Sequence, residues 1–273
     1  MLVADAVWPP RPNHRDRFRC FASWSHRAGG LTWDGSSGKG VAVGTRVVMA
    51  WSGGKDSALA LHRLQQSSDW KVEALLTTVT EDYDRVSMHG VSSALLEAQA
   101  GSLGLGLMRV NIPAVCSNEV YDERMLAAMT ECRARGIDHF AFGDIFLQDV
   151  RRYREERLAQ VAMQAVFPLW GLDSGHLARD FVRLGFRAVV ACVDLRVLDP
   201  SFAGREMDAG FFTDLPPGVD PCGENGEFHS FVYYGPNLRL PLMVEVGDRV
   251  ERSGFVFADL RLRDQATNKR RRG

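Results

Sequence analysis

From Arg46 onward the sequence alternates short apolar runs with amphipathic stretches of helical length, a rhythm that few architectures accept. Predicted strands fall at Arg46–Trp51, Val72–Val79, Leu107–Ile112, His139–Phe142, Val166–Leu169 and Ala188–Val193. Predicted helices run over Ser57–Gln66, Ser92–Leu103, Val120–Arg135, Asp149–Gln164 and His176–Leu184. Strands separated by helices cannot close as hairpins, so they pair in parallel while the helices cross over on both faces. The expected fold class is α/β, a doubly wound, mainly parallel, Rossmann-like sheet.

After about Leu195 the rhythm breaks into a turn-rich stretch containing Asp199-Pro200, Pro216-Pro217-Gly218 and Asp220-Pro221-Cys222-Gly223. A strand at Phe228–Tyr234 and a hairpin from Val246-Gly247-Asp248 to Phe257 are predicted beyond it. The expected organisation is therefore a nucleotide-type domain over 46–195 and a smaller α+β substrate-binding region over 196–262. Residues 1–45 hold Pro9, Pro10, Pro12 and a Gly/Ser tract without helix or strand periodicity, and are expected to be an extension outside the fold. Their arginines allow an organelle-targeting reading, against which Asp5, Asp16 and Asp34 count. Residues 263–273 end in Lys269-Arg270-Arg271-Arg272, a basic run expected to be a solvated tail.

Composition narrows the function classes. A formal net charge of -1 supplies no global field for a nucleic acid or an anionic membrane, so any polyanion must be bound locally. The five cysteines, Cys20, Cys116, Cys132, Cys192 and Cys222, are odd in number and form no CxxC pair, which indicates neither a disulfide framework nor a zinc ribbon. No apolar run approaches the roughly 18 residues that cross a bilayer. A cytoplasmic setting without membrane contact is expected, and a homodimer is left open.

Ser52-Gly53-Gly54-Lys55-Asp56-Ser57 occupies the turn between the first predicted strand and the first predicted helix. In an open parallel sheet that turn lies beyond the carboxyl ends of the strands, where phosphates bind. Gly53 and Gly54 permit a backbone that approaches phosphate closely, with the following amides facing outward as an anion nest. Lys55 adds a point charge and Ser52 and Ser57 add hydroxyls, while Asp56 suits a bridge to Mg²⁺. This is not the GxxxxGK[ST] pattern, because only Gly-Gly precedes the lysine and an aspartate follows it. A tight turn capped by Asp56 or Ser57 is the competing structural explanation.

The Ser-Gly-Gly-Lys-Asp-Ser run resembles the PP-loop of the N-type ATP pyrophosphatases, whose fold is of the adenine nucleotide alpha hydrolase type. Three further segments resemble one family within that superfamily, the diphthine–ammonia ligases that complete diphthamide on elongation factor 2, together with their bacterial relatives. The first is Gly143-Asp144-Ile145 leading into Asp149, Arg152, Arg154 and Glu156. Arg152 and Glu156, four apart, share a helical face, and Arg154 points away from them. The second, Asp220-Pro221-Cys222-Gly223-Glu224-Asn225-Gly226-Glu227-Phe228-His229-Ser230, is similar to the family's Gly-Glu-x-Gly-Glu-(Phe/Tyr)-x-(Thr/Ser) pattern. The third runs from Glu81 to Gly90 and includes His89. Asn225 in place of a second glycine, and the lack of long C-terminal additions, resemble the bacterial branch.

The resemblance implies an ATP-dependent, amide-forming ligase. An acceptor carboxylate, on a small molecule or a modified protein side chain, would be adenylated with release of pyrophosphate, and ammonia would displace AMP. It places Ser52, Gly53, Gly54, Lys55, Asp56, Ser57, Thr77, His89, Gly143 and Asp144 around ATP, and Mg²⁺ on Asp56. Lys55, Asp56, Glu224 and Glu227 become the expected catalytic residues. Asp149, Arg152, Arg154, Glu156, Glu224, Asn225, Gly226 and Glu227 are expected to bind the acceptor. Each segment has a plainer explanation: a solvated helix with ion pairs, an acidic turn before a strand, a surface histidine. Two other functions compete. A PP-loop tRNA-modifying enzyme would need catalytic cysteines or a basic face, and a non-catalytic ATP or AMP sensor would not need the downstream glutamates.

Overall fold

In a computed structural model of the chain, residues 44–263 are described except 82–84 and 87–89, and of 85–86 only the strand path. The predicted extension, the basic tail and His89 thus lie outside the described residues, save for residues 44 and 45 of the extension and Arg263 of the tail. Five strands form a parallel core: β1 (Thr45–Ala50), β2 (Trp70–Thr80), β4 (Gly106–Ile112), β5 (His139–Ala141) and β6 (Gln164–Val166). Their spatial order is β4-β2-β1-β5-β6, and a two-residue β3 (Arg85–Val86) pairs antiparallel with the end of β2.

Strand β1 shows why the sheet is buried on both sides. Successive side chains on a strand point to opposite faces. Val47 and Met49 accordingly join one core with Ala58 and Leu61 of α1 (Lys55–Gln66) and Leu95 of α2 (Ser93–Leu103). Val48 joins the other, with Met125 and Met129 of α3 (Asn118–Ala134) and Leu158 of α4 (Gln148–Ala159). The strand order reverses direction between β1 and β5, and the crevice beyond their carboxyl ends is where such folds take ligands.

A second, antiparallel sheet has the order β8-β7-β10-β9 and is built from β7 (Arg187–Asp194), β8 (Phe228–Tyr234), β9 (Val244–Arg252) and β10 (Phe255–Leu262). Its Val190, Phe231 and Val232 share the core of α1 and α2, so it packs behind those helices. Helices α5 (Ser174–Arg183) and α6 (Ala209–Asp214) add Phe181 and Phe211 to the same core.

Two expectations are corrected here. The apolar run Ala188–Val193 does not extend the parallel sheet; it pairs antiparallel with β8 and β10, so the change of sheet falls upstream of residue 195. A fully buried strand reads the same in either setting, because an apolar run does not encode its partner. Helix α4 also ends earlier than Gln164. The Met163 amide folds back on the Leu158 carbonyl while Ala162 takes a left-handed φ of 54°, a helix stop made without the usual glycine. The predicted hairpin is present, and its two turn residues, Ser253 and Gly254, both have positive φ, as a two-residue type I′ turn requires.

Phe181 is fully buried and stacks on Phe186 with ring centroids 5.2 Å apart. Phe181→Ala should cost about 3–5 kcal/mol. The check is urea unfolding, with a lowered midpoint and an unchanged slope.

Candidate active site

Helix α1 starts at Lys55, with Gly54 as an N-cap that offers no side chain. A helix start leaves amides without intrahelical acceptors, and here they divide into two groups. The Gly54 amide donates to Ser52 Oγ at 3.2 Å and the Lys55 amide to Ser230 Oγ at 3.1 Å. Among the described residues, the amides of Asp56 and Ser57 have no protein acceptor. Two free donors at the positive end of a helix dipole form an anion site. The hydroxyls of Ser52 and Ser57 lie 3.2 Å apart beside it.

The loop is held from behind. Gly53 has φ +78°, and its carbonyl accepts both the Val232 amide of β8 at 2.9 Å and the Gln99 side-chain amide of α2 at 3.0 Å. From the β5 side, Gly143 lies so close that an added Cβ would sit 2.9 Å from the Asp56 carbonyl carbon and 3.0 Å from the Ser57 nitrogen. Only glycine permits that contact.

The third wall is the loop from Asp220 to Glu227, which the C-terminal sheet carries to the mouth of the crevice. It turns at Gly223 and Gly226, both at positive φ, with the Gly223 amide bonded to the Asp220 carbonyl and the Gly226 amide to the Gly223 carbonyl. These turns send the two glutamates different ways. Glu224 faces the crevice and accepts the Ile145 amide at 2.8 Å, joining this loop to the one after β5. Glu227 is buried beneath the loop, where one oxygen accepts from the Asp220 amide and from the Asn225 side chain.

These walls enclose a cleft of about 320 Å³. Its lining combines the apolar Leu76, Met125, Phe140 and Phe142 with Asp56, Asp144, Glu224 and the helix start. Lys55 Nζ is 2 % exposed; it contacts the Asp56 carboxylate at 2.6 and 2.7 Å and donates to the Cys222 carbonyl. Burial pulls the lysine's pKa down, but Asp56 foremost, with the other acidic groups of the site, leaves it raised, so the cation is permanent. Arg154 holds Asp144 through Nε at 2.5 Å and Nη2 at 3.1 Å and lies over the Phe142 ring at 4.3 Å. Burial pushes the Glu224 carboxyl up to about 7; the Ile145 amide offsets this only in part, and Asp56 and Asp144 add to it. The Cys222 thiol is pushed up to about 12, chiefly by burial, so it is no nucleophile at neutral pH.

Of the residues predicted from sequence, Ser52, Gly54, Lys55, Asp56, Ser57, Thr77, Gly143, Asp144, Arg154, Glu224 and Gly226 line this one cleft. Thr77 brings a buried hydroxyl oxygen that has no hydrogen-bond partner among the described residues. Gly53 supports the loop from behind, and Asn225 is exposed on the rim. Asp149, Arg152, Glu156 and Glu227 are not in the lining: α4 turns Arg152 and Glu156 to solvent and presents Arg154 alone of the four acceptor residues expected on it. Trp51, Tyr121 and Gln99 were missed. Tyr121 gave no signal, but Gln99 interrupts the apolar stripe Leu95, Leu96, Ala100, Leu103, a polar residue at a core position.

This chain, with its glycine turn at the strand-order reversal, is placed among the PP-loop ATP-dependent ligases by the family models that match it. The chain belongs to the diphthamide synthase family: the model of the diphthamide synthase N-terminal domain matches residues 45–165, and that of the C-terminal domain matches residues 173–260. It is also similar to a diphthine–ammonia ligase of Danio rerio, 25% identical over 239 residues that span 78% of this chain and 91% of that protein. The gap between the two matches falls just before α5, so β7 groups with the C-terminal sheet in sequence as in structure.

Glu224 links the cleft to stability. Its folded pKa of about 7 exceeds the ordinary 4.5, so between these values the folded chain binds more protons than the unfolded one, and stability falls as pH rises through that window. Glu224→Gln should flatten this decline in melting temperature from about pH 4.5 to 7. An unaltered pH profile in the variant would assign the decline to another group.

Proposed function

We propose that the protein adenylates an acceptor carboxylate with ATP, releases pyrophosphate and lets ammonia displace AMP to form an amide, as the family and the name of its fish relative suggest. The observation that carries this reading is the pair of unpartnered amides at Asp56 and Ser57, facing Glu224 across one cleft. The residues present fit a nucleotide: apolar side chains and the Thr77 hydroxyl suit the base and sugar, and the helix start suits the phosphates.

On this reading the acceptor oxygen attacks the α-phosphorus, the bond to the bridging oxygen breaks, and pyrophosphate leaves with the electron pair. The Asp56 and Ser57 amides and the Lys55 cation stabilise the charge that builds there, the preorganised contribution that usually dominates such catalysis. Among the described residues no three side chains could hold a metal by themselves. Mg²⁺ is commonly bound by one or two carboxylates together with substrate phosphates, a role that suits Asp56. Arg154 and the Glu224 loop face the place where the acceptor would sit. In the second step nitrogen attacks the acyl carbon, AMP leaves, and Glu224 takes a proton from the incoming ammonium or its adduct. A carboxylate poised near neutrality is suited to that transfer.

Among the described residues no helix is long and apolar enough to cross a membrane. Among the described residues Cys116, Cys132, Cys192 and Cys222 are buried, and none is in a disulfide.

The test is product analysis with ATP, ammonium and a panel of carboxylic acids. AMP and pyrophosphate in equal amounts are expected; ADP and phosphate would refute adenylation, and tight ATP binding without turnover would favour a sensor. Lys55→Ala should lower turnover on the order of 10²- to 10³-fold. Because it also leaves Asp56 without its buried partner, the variant should melt earlier, so the rate is read below its own melting temperature. For Glu224→Gln, the rise in rate as pH passes about 7 should disappear.

A further inference from the structure

We infer that Gln99, a side chain of α2 outside the cleft lining, is the positioning residue that sets the conformation of the nucleotide loop; this rests on the ATP reading above. Gln99 is fully buried, and among the described residues its side chain bonds to Trp51 just before the loop, to Gly53 within it and to Val232 of β8 behind it. Its Oε1 accepts the Trp51 indole N–H at 3.0 Å. Its Nε2 donates to the Gly53 carbonyl at 3.0 Å and to the Val232 carbonyl at 2.6 Å. The indole bond fixes which end of the amide is oxygen, so the NH2 group can only face the two carbonyls.

The consequence follows from peptide geometry. The C=O of Gly53 and the N–H of Gly54 belong to one planar trans peptide and point in opposite directions. Holding the Gly53 oxygen against Gln99 and β8 therefore turns the Gly54 amide toward Ser52 Oγ, on the ligand side, and starts α1 with the Asp56 and Ser57 amides facing the cleft. Gly53 sustains this with a φ of +78° and no Cβ; an added Cβ would lie 2.8 Å from Gln99 Oε1. An unfilled N-cap has no side chain to impose this direction from within α1. Gln99 supplies it from the neighbouring helix, and it touches neither cleft nor reacting atoms.

The experiment compares ATP dissociation constant and KM for wild type, Gln99→Met and Leu103→Ala. Methionine fills a similar volume without the amide. Leu103 is buried on the same helix, away from the loop, and reports general loosening of α2. A rise of at least about tenfold in both constants is expected for Gln99→Met, with Leu103→Ala at the wild-type value even where its melting temperature falls further. Constants for Gln99→Met within twofold of wild type, or an equal rise in Leu103→Ala, would overturn the inference. If Gln99→Met does not fold, Trp51→Phe removes the donor that orients the amide and should raise KM about threefold; an unchanged KM then overturns it. Wild-type protein that binds no ATP would instead sink the nucleotide reading itself, a distinct outcome.

Discussion

The Gly53 carbonyl is the point on which the two sheets meet. It belongs to the turn after the central strand of the parallel sheet, yet it accepts the Val232 amide from the antiparallel one. Ser230, two residues earlier on the same strand, accepts the Lys55 amide. Two consecutive inward-facing positions of β8 thus take up the backbone groups of the turn that a phosphate would not use, and leave those it would. Without the second sheet the turn would hold an unsatisfied buried carbonyl and an unsatisfied helix amide, each costing on the order of 1–3 kcal/mol. The proposed nucleotide site is a joint product of both halves of the chain, although every residue of its glycine turn comes from the first.

The same union is made again in charge. Lys55 lies too deep to be a solvated cation; it neutralises Asp56 and reaches the Cys222 carbonyl of the C-terminal loop. A buried charge is tolerable only when paired and hydrogen-bonded, so the lysine fixes that loop as firmly as the loop fixes it. Glu224 then completes a circuit by taking the Ile145 amide from the turn after β5. Three loops from three places in the sequence are locked edge to edge, and the cleft is the space they leave.

How much of this the sequence disclosed follows the range of the interactions. The βαβ rhythm is a local period, so the parallel sheet was legible, and the six-residue turn was legible because its glycines and lysine are contiguous. The pairing of β7 depends on β8 and β10, forty and sixty residues further on, and nothing within Arg187–Asp194 records it. On α4, spacing established that Arg152 and Glu156 share one face and Arg154 another, but not which face turns inward. That helix buries only Leu158, so no apolar stripe marked its inner side. Glu224 and Glu227 looked equivalent because both follow a glycine; positive φ at Gly223 and Gly226 is what sends one into the cleft and the other beneath it. Gln99 was detectable in principle, as an amide placed among leucines and alanines. Two of its three partners are backbone carbonyls, which leave no trace in side-chain identity.

Electrostatics also orders the proposed chemistry in time. Asp56, Asp144 and Glu224 converge on one small space, and Lys55 and Arg154 balance the first two. Among the described residues Glu224 makes no ion pair, and burial together with these carboxylates outweighs Lys55 and holds its proton to about neutral pH. A triphosphate bound beside it would add negative charge and hold that proton more tightly, so the group would be a poor base while ATP is intact. Loss of pyrophosphate removes most of that charge, and the carboxyl then ionises more readily. On the proposed reading, a base fit to accept a proton from ammonium arises only after the acceptor has been activated. One carboxyl group, governed by the charge of its neighbour, would thus separate the two half-reactions without any moving part.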